Sequence, residues 1–246
     1  LSLAGCWLIV PATPNPMPTA TPLPTEWRTL APGLDYRALI EGDDLLSQLT
    51  IVRVDPALYE FRVAYRPGEA LRLQAWRAEL PEALVLINAN FFDTANQALG
   101  LLVADGVTYG QSYTRRGGLF SILDGVPRIQ SNVRERYQGE PLDQAVQAFP
   151  MLIENGAQTF FEERADRITR RSAIGIDSRG RVLLIATPLT GLRLAELGTR
   201  LAESDLELVD AFNLDGGGST LLLIEPAEYA LLSRDGVPAV LAVFAK

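Results

Sequence analysis

The sequence predicts a single α+β domain, built on mixed, mostly antiparallel sheets with a few helices, and three observations predict it. Glycine turns recur between short apolar runs, at Asp105-Gly106, Asp124-Gly125, Asn155-Gly156, Arg179-Gly180 and Asp235-Gly236. Asp-Gly and Asn-Gly suit the positive-φ positions of two-residue hairpins. Tyr59, Phe61, Val63 and Tyr65 alternate with Glu60, Arg62, Ala64 and Arg66, the period of a half-buried strand. Leu73, Trp76 and Leu80, and later Leu194, Leu197 and Leu201, carry helical spacing instead. A length of 246 residues with 48% apolar side chains suits one large domain, or one domain with a tail.

The elements follow in chain order. Leu3-Ala4-Gly5-Cys6 resembles a bacterial lipobox whose charged and apolar leader is missing, which makes Cys6 a lipidation candidate. Residues 11–26 are rich in proline and threonine; such a stretch cannot bury a core and favours extended polyproline II. Residues 1–26 therefore read as a truncated signal and spacer, and 27–246 as the folded body. The expectation is an extracytoplasmic domain, lipid-anchored to the cell membrane through Cys6. No stretch is long and apolar enough to span a bilayer.

Within the body, Leu49–Val54 precedes the alternating run across Asp55-Pro56, and the two are expected to pair antiparallel. The helix through Leu73 leads into the apolar strand Ala83–Ile87, which ends at Asn88. The helix through Leu197 takes Thr190 as its expected N-cap. An apolar run, Leu206–Phe212, then enters Asn213-Leu214-Asp215-Gly216-Gly217-Gly218-Ser219-Thr220, and Leu221–Ile224 follows as a short strand. In the Asp-Gly pairs, Asp105, Asp124 and Asp235 read as turn residues.

Composition excludes several chemistries. The formal charge of −8 opposes nucleic-acid binding, which draws its affinity from clustered Lys and Arg. There is no histidine and only one cysteine, so histidine-based triads, zinc centres and an internal disulfide framework are all ruled out. Any acid, base or nucleophile must be a carboxylate, Lys, Tyr, Arg or a hydroxyl.

The run at 213–220 carries the densest chemistry. It lacks the Lys of a P-loop and leads into a strand instead of a helix, so an anion there would meet a backbone nest without a helix dipole. Asp215 is the candidate catalytic carboxylate, with the N–H groups of Gly216, Gly217 and Gly218 as oxyanion or phosphate donors. A bulged turn in which the Asp caps its own backbone is the plain alternative. A third reading makes Asp215 a Ca²⁺ or Mg²⁺ ligand. Ser219 and Thr220 have no candidate base nearby in sequence, which argues against a nucleophile.

Three further segments stand in order before it: Asn88-Ala89-Asn90-Phe91-Phe92-Asp93, Phe149-Pro150-Met151-Leu152-Ile153-Glu154-Asn155-Gly156, and Arg170-Arg171-Ser172-Ala173-Ile174-Gly175-Ile176-Asp177. Together the four resemble the phosphodiester glycosidase family over roughly residues 50–244. The resemblance implies hydrolysis of a sugar-1-phosphate diester, of the N-acetylglucosamine kind, at the anomeric C–O bond. It also implies a partner that is a sugar-phosphate diester or phosphorylated glycan.

On that reading Arg171 holds the phosphate through its planar fork of donors, with Arg170 as the alternative, and Asp215 serves the oxocarbenium-like centre or activates water. Asn88 joins them in the catalytic set. Asn90, Asn213, Gly216, Gly217, Gly218 and Ser219 form the expected substrate-binding set. Phe91 and Phe92 read as core, with one available to line a sugar site. Asn90 stands where the family places Gly, at a position that calls for tolerance of positive φ. Two other functions remain open: a non-catalytic module for anionic glycans, and a metal-dependent phosphodiesterase cutting the P–O bond.

Overall fold

The computed structural model describes residues 23–40, 46, 48–162 and 167–246. The lipobox and most of the spacer lie outside the described residues. Trp27, where the folded body was expected to begin, stacks with the guanidinium groups of Arg53 at 3.9 Å and Arg37 at 4.5 Å.

The architecture is sheet-rich, not a balanced α+β mixture. Three antiparallel sheets carry it, with two α-helices among the described residues. The first sheet has eight strands in the order Arg28–Ala31, Leu34–Leu39, Leu49–Val54, Val182–Ala186, Ser172–Asp177, Leu208–Asn213, Met151–Glu154 and Ala157–Gln158. The second orders Val107–Tyr109, Leu102–Ala104, Gln144–Ala148, Gly118–Leu123 and Val126–Ser131. The third orders Tyr229–Leu231, Leu222–Ile224, Val85–Asn88, Ala239–Ala245 and Tyr59–Tyr65.

Alternation explains the layering. In Val182–Ala186, Val182, Leu184 and Ala186 face a central core shared by all three sheets. Leu183 and Ile185 face the other way, under the helix Leu194–Glu203, whose Leu197 and Leu201 cover that face. Full burial of each such leucine is worth about 2–3 kcal/mol. On the third sheet, Trp76 of the helix Leu73–Glu79 packs on Leu86, Leu223 and Val240. Its indole N–H donates to the Val237 carbonyl at 3.1 Å. Tyr59, Phe61 and Val63 point inward as the alternation requires, and Phe61 meets Phe120 of the second sheet edge-on at 5.8 Å.

Three local expectations differ from the structure. Leu49–Val54 and Tyr59–Tyr65 do not pair; one belongs to the first sheet and the other to the third. Asp55 accepts the Ala57 N–H in a turn that carries the chain from one sheet to the next. Thr190 does not cap the second helix, which begins after Arg193 without a side-chain cap; its hydroxyl donates to the Leu46 carbonyl. Asp105-Gly106, Asp124-Gly125 and Asn155-Gly156 have both residues at positive φ, as the turn type demands. Asp235-Gly236 does not, and Asp235 has a different place.

Candidate active site

The glycine run is a crossover between sheets. Leu208–Asn213 ends in the first sheet, Gly217–Ser219 forms one turn of 3-10 helix, and Leu222–Ile224 begins in the third. Val85–Asn88 ends at the same seam, and the Ala89 carbonyl there accepts the Asp215 N–H at 3.1 Å. Ser172, at the start of its strand, accepts the Leu214 N–H at 2.8 Å. The seam therefore gathers three of the four segments singled out in the sequence. The fourth supplies Phe149 and Pro150 beside it.

A cleft of about 540 Å³ opens there, lined by Phe91, Phe149, Pro150, Phe160, Glu162, Arg167, Thr169, Arg171, Leu194, Asn213, Asp215, Gly216 and Gly217. A hollow of similar size beside Asn155, Ser178 and Glu207 has no arginine among the described residues that line it. Among the described residues that line the cleft, Asp215 is the only Asp. Burial pushes its carboxyl up to about 6, against hydrogen bonds from Ser219 and the Gly216 N–H, and the nearby Asp235 carboxylate adds to the rise. That value places a proton donor or acceptor close to neutrality without histidine.

The glycines do not form the open nest expected of them. The Gly216 N–H donates to Asp215's own carboxylate at 2.8 Å, and the Gly217 N–H donates to the Arg170 carbonyl at 2.7 Å. With those two donors committed, Gly216 and Gly217 offer the cleft close backbone approach instead of a ring of N–H groups. Gly218 has another reason to lack a side chain: a Cβ there would overlap the Asp235 carboxylate. Asp235 thus packs against the glycine run, and its N–H donates to the Gly218 carbonyl at 3.0 Å. Its Asp-Gly sequence looked like a hairpin, and no local signal distinguished it.

Asn213, 4% exposed, donates to the Phe149 carbonyl at 3.0 Å, while its side-chain oxygen is buried without a partner. A buried acceptor left unmatched costs about 1–3 kcal/mol. Ser219 is buried and turned to Asp215.

Arg171 reaches the cleft and Arg170 lies behind the glycines. Arg171 Nε donates to the Leu192 carbonyl at 2.9 Å and Nη2 to that of Arg167, so its guanidinium is fixed in place. Arg170 donates to the carbonyls of Gly217 and Leu232, and burial, with Arg234 nearby, holds it below the usual arginine value.

Asn88 and Asn90 do not line the cleft. Asn88 is 1% exposed; its amide donates to the Asp215 carbonyl at 2.7 Å, and its oxygen accepts from the Ser172 hydroxyl at 2.6 Å and the Leu221 N–H at 3.2 Å. With three protein partners it has no reach to a ligand. Asn90 donates to the Leu101 carbonyl at 2.9 Å and has no positive φ, so the tolerance expected of that position is not needed. Of the two phenylalanines, Phe91 lines the cleft and Phe92 joins the core under the first helix. Among the described residues no cluster of three or more acidic side chains is gathered that could hold a metal ion. Asp215 and Asp235 alone do not furnish the six to eight oxygens Ca²⁺ takes.

Fold and cleft together define a class: a sheet-built protein whose inter-sheet seam places a buried carboxylate, a fixed arginine and a buried asparagine in the lining of one cleft. The phosphodiester glycosidase family model matches residues 81–244, which is 164 of the 246 residues, and the chain belongs to that family. No curated protein sequence matches it. Among solved structures it is similar to the zebrafish N-acetylglucosamine-1-phosphodiester alpha-N-acetylglucosaminidase catalytic domain auto-inhibited by pro-peptide. The TM-score there is 0.68 and the identity 20%, over 92% of this chain and 87% of that one. A hypothetical protein from Synechocystis shares the fold at a TM-score of 0.61 and 18% identity, over 92% of this chain and 64% of that one. A Burkholderia pseudomallei protein thought to be exported does so at 0.55 and 14%, over 86% and 74%. No helix of the described residues is long and apolar enough to cross a membrane.

Proposed function

We propose that this domain hydrolyses a sugar-1-phosphate diester at the anomeric C–O bond. The observation that carries the reading is Asp215, with its carboxyl pushed up to about 6, in one cleft with the Arg171 guanidinium and the unmatched Asn213 oxygen. Water adds to the anomeric carbon and gives its proton to Asp215. The bond from that carbon to the phosphate oxygen breaks, and the electron pair leaves with the phosphate monoester, whose charge Arg171 stabilises. Phosphate is a good leaving group, so holding its charge matters more than protonating it.

Asn213 accepts from a sugar hydroxyl or acetamido N–H, and Phe91 and Phe149 present apolar faces to the sugar ring. Ser219 keeps Asp215 oriented. Asn88 acts through Asp215 as a positioning residue, by holding the backbone on which that carboxylate stands. Asn90 shapes the neighbouring loop. The substrate is an envelope or extracellular glycan phosphate, and the domain is held outside the cytoplasmic membrane by lipidated Cys6; this part rests on the Leu3–Cys6 pattern.

The test is residues 23–246 with a UDP-sugar or a sugar-1-phosphate methyl diester in ¹⁸O water, with and without chelator. The expected result is label in the sugar and none in phosphate, unaffected by chelator. Label in phosphate together with chelator sensitivity supports P–O cleavage by a metal and overturns the reading. Binding of these ligands without turnover supports a non-catalytic glycan module.

Gly191 offers a separate check on Arg171. Its φ is +85°, and a Cβ would overlap the Thr169 carbonyl, which accepts the Leu192 N–H. Gly191→Ala must open that bridge and shift the Leu192 carbonyl that fixes Arg171. Thermal unfolding should show a loss of about 2–4 kcal/mol, and KM for the diester should rise several-fold more than kcat falls. An unchanged KM would detach Arg171 from substrate binding.

A further inference from the structure

One rim of the cleft carries a cation with no acid partner. Phe149, a lining residue, packs on Phe91 at 4.7 Å between ring centroids and on Tyr113 at 5.2 Å. Over these rings lies Arg116, its guanidinium carbon 4.2 Å from the Phe149 centroid and 4.7 Å from that of Tyr113. Arg116 forms no ion pair or side-chain hydrogen bond among the described residues. A guanidinium stacked on aromatic faces keeps its planar fork of N–H donors directed outward, free for an oxyanion.

The rim is built, not loose. Gln147, fully buried in its strand, accepts the N–H groups of Tyr113 at 2.8 Å and Leu101 at 3.0 Å and donates to the Ser112 hydroxyl at 2.9 Å. Asn132, also buried, donates to the Tyr113 carbonyl. Two buried carboxamides thus hold one short loop between Val107–Tyr109 and Gly118–Leu123. Immediately before Arg116, Arg115 has φ of 53°, a conformation that costs a bulky residue about 1 kcal/mol and persists where surrounding contacts impose it.

The Tyr113 phenol lies within electrostatic reach of both Arg116 and Asp215. Burial raises it first, Arg116 opposes that, and Asp215 adds to it. Tyr113 therefore remains a neutral O–H donor at physiological pH, within the field of both the carboxylate and the cation.

We propose that Arg116 and Tyr113 form a second anion subsite at this rim, so that the favoured substrate carries a second phosphate beyond the scissile diester. This rests on the reading of Asp215 and Arg171 as the reaction centre. That second phosphate is either the diphosphate partner in a nucleotide-sugar-like ligand or the next diester along a phosphate-linked glycan. In both, the scissile phosphate meets Arg171 in the cleft and the second phosphate turns to Arg116 on the Phe149 rim.

Binding is measured by calorimetry on the Asp215→Asn protein, which removes turnover, with and without Arg116→Ala. The probes are the methyl diester of N-acetylglucosamine-1-phosphate, UDP-N-acetylglucosamine, and a synthetic dimer of N-acetylglucosamine-1-phosphate units joined by phosphodiesters. The two probes with a second phosphate should bind about tenfold more tightly than the methyl diester, the worth of one charge-assisted contact. Arg116→Ala should abolish that advantage while moving the methyl diester less than twofold. Arg116→Lys should recover only part of it.

Which of the two doubly charged probes binds better identifies the source of the second phosphate. Equal weakening of all three probes by Arg116→Ala, no preference for a second phosphate, or no binding of any probe would overturn the subsite. Turnover of the methyl diester by the unmutated protein is scored separately. If turnover is absent while the Arg116-dependent preference holds, the glycosidase reading fails and the subsite stands. Turnover with Arg116-independent binding gives the reverse.

Discussion

Asp215→Asn is expected to lower kcat/KM on a sugar-1-phosphate diester by about a thousandfold, the scale of losing a positioned base. The loss should come with an intact fold, because the Gly216 N–H and the Ser219 hydroxyl can still bond the carboxamide. Asp215→Ala runs alongside, since the asparagine variant places Asn before Gly, a pair prone to deamidation back to Asp. The unmutated protein should lose kcat/KM tenfold per unit as pH falls below about 6, where Asp215 takes up its proton. If Asp215 were only the cap of its own turn, both variants would keep their activity and that acidic limb would be absent.

The same shift makes a stability prediction with a definite sign. Folding raises the Asp215 pKa from 3.8 to about 6, so between those values the folded state holds a proton that the unfolded state releases. Stability therefore falls as pH rises through that window, and the full penalty is present above it. A shift of that size corresponds to about 3 kcal/mol, and to about 1–2 kcal/mol after allowance for the water that reaches a cleft side chain. Asp215→Asn should raise Tm by several degrees at pH 7.5 and change it little at pH 3.5. An inactive variant that is more stable at neutral pH is the signature of a carboxylate held ready for chemistry at a cost to folding.

The sequence revealed which side chains meet in this cleft more readily than the contacts that hold them. Asp215, Asn213 and Arg171 were legible because each sits in a short run whose residue types have few structural uses together, and all three line one cleft. Half-buried strands were legible where alternation is strict, as at Tyr59–Tyr65. What remained hidden depends on contacts between distant segments. Leu49–Val54 and Tyr59–Tyr65 resemble a hairpin locally, and only the competing partners, Val182–Ala186 for one and Ala239–Ala245 for the other, send them to different sheets.

Asp235 has the sequence of a turn, and its place against Gly218 arises when the chain after Tyr229–Leu231 passes under the crossover. The N–H groups of Gly216 and Gly217 depart from the expected nest for a related reason. Three glycines show that the backbone is approached closely, but not by what. Here one approaching group is the Arg170 carbonyl, from the strand side of the same seam.

Asn88→Ala should have a large effect on stability at the seam. The side chain satisfies three buried groups on three segments: the Ser172 hydroxyl, the Leu221 N–H and the Asp215 carbonyl. Truncation leaves all three without their partner in a region closed to water, at about 1–3 kcal/mol for each group that finds no substitute. A total of about 3–5 kcal/mol, lowering Tm by roughly 10 °C or more, follows once partial relaxation is allowed. Asn88→Asp should be nearly as damaging, because a carboxylate cannot donate to the Asp215 carbonyl and would bring a charge into a site that is 1% exposed.

Activity separates this positioning role from plain scaffolding. Assayed well below its Tm, Asn88→Ala should lose kcat by about tenfold or more with a smaller change in KM, and the acidic limb near pH 6 should shift as the Asp215 backbone relaxes. A variant that is destabilised to this extent but keeps its kcat and pH profile would show that Asn88 ties the sheets together without setting the reaction geometry. The prediction distinguishes these because Asn88 holds the Asp215 carbonyl directly, while its other two bonds fasten the first sheet and the crossover around it.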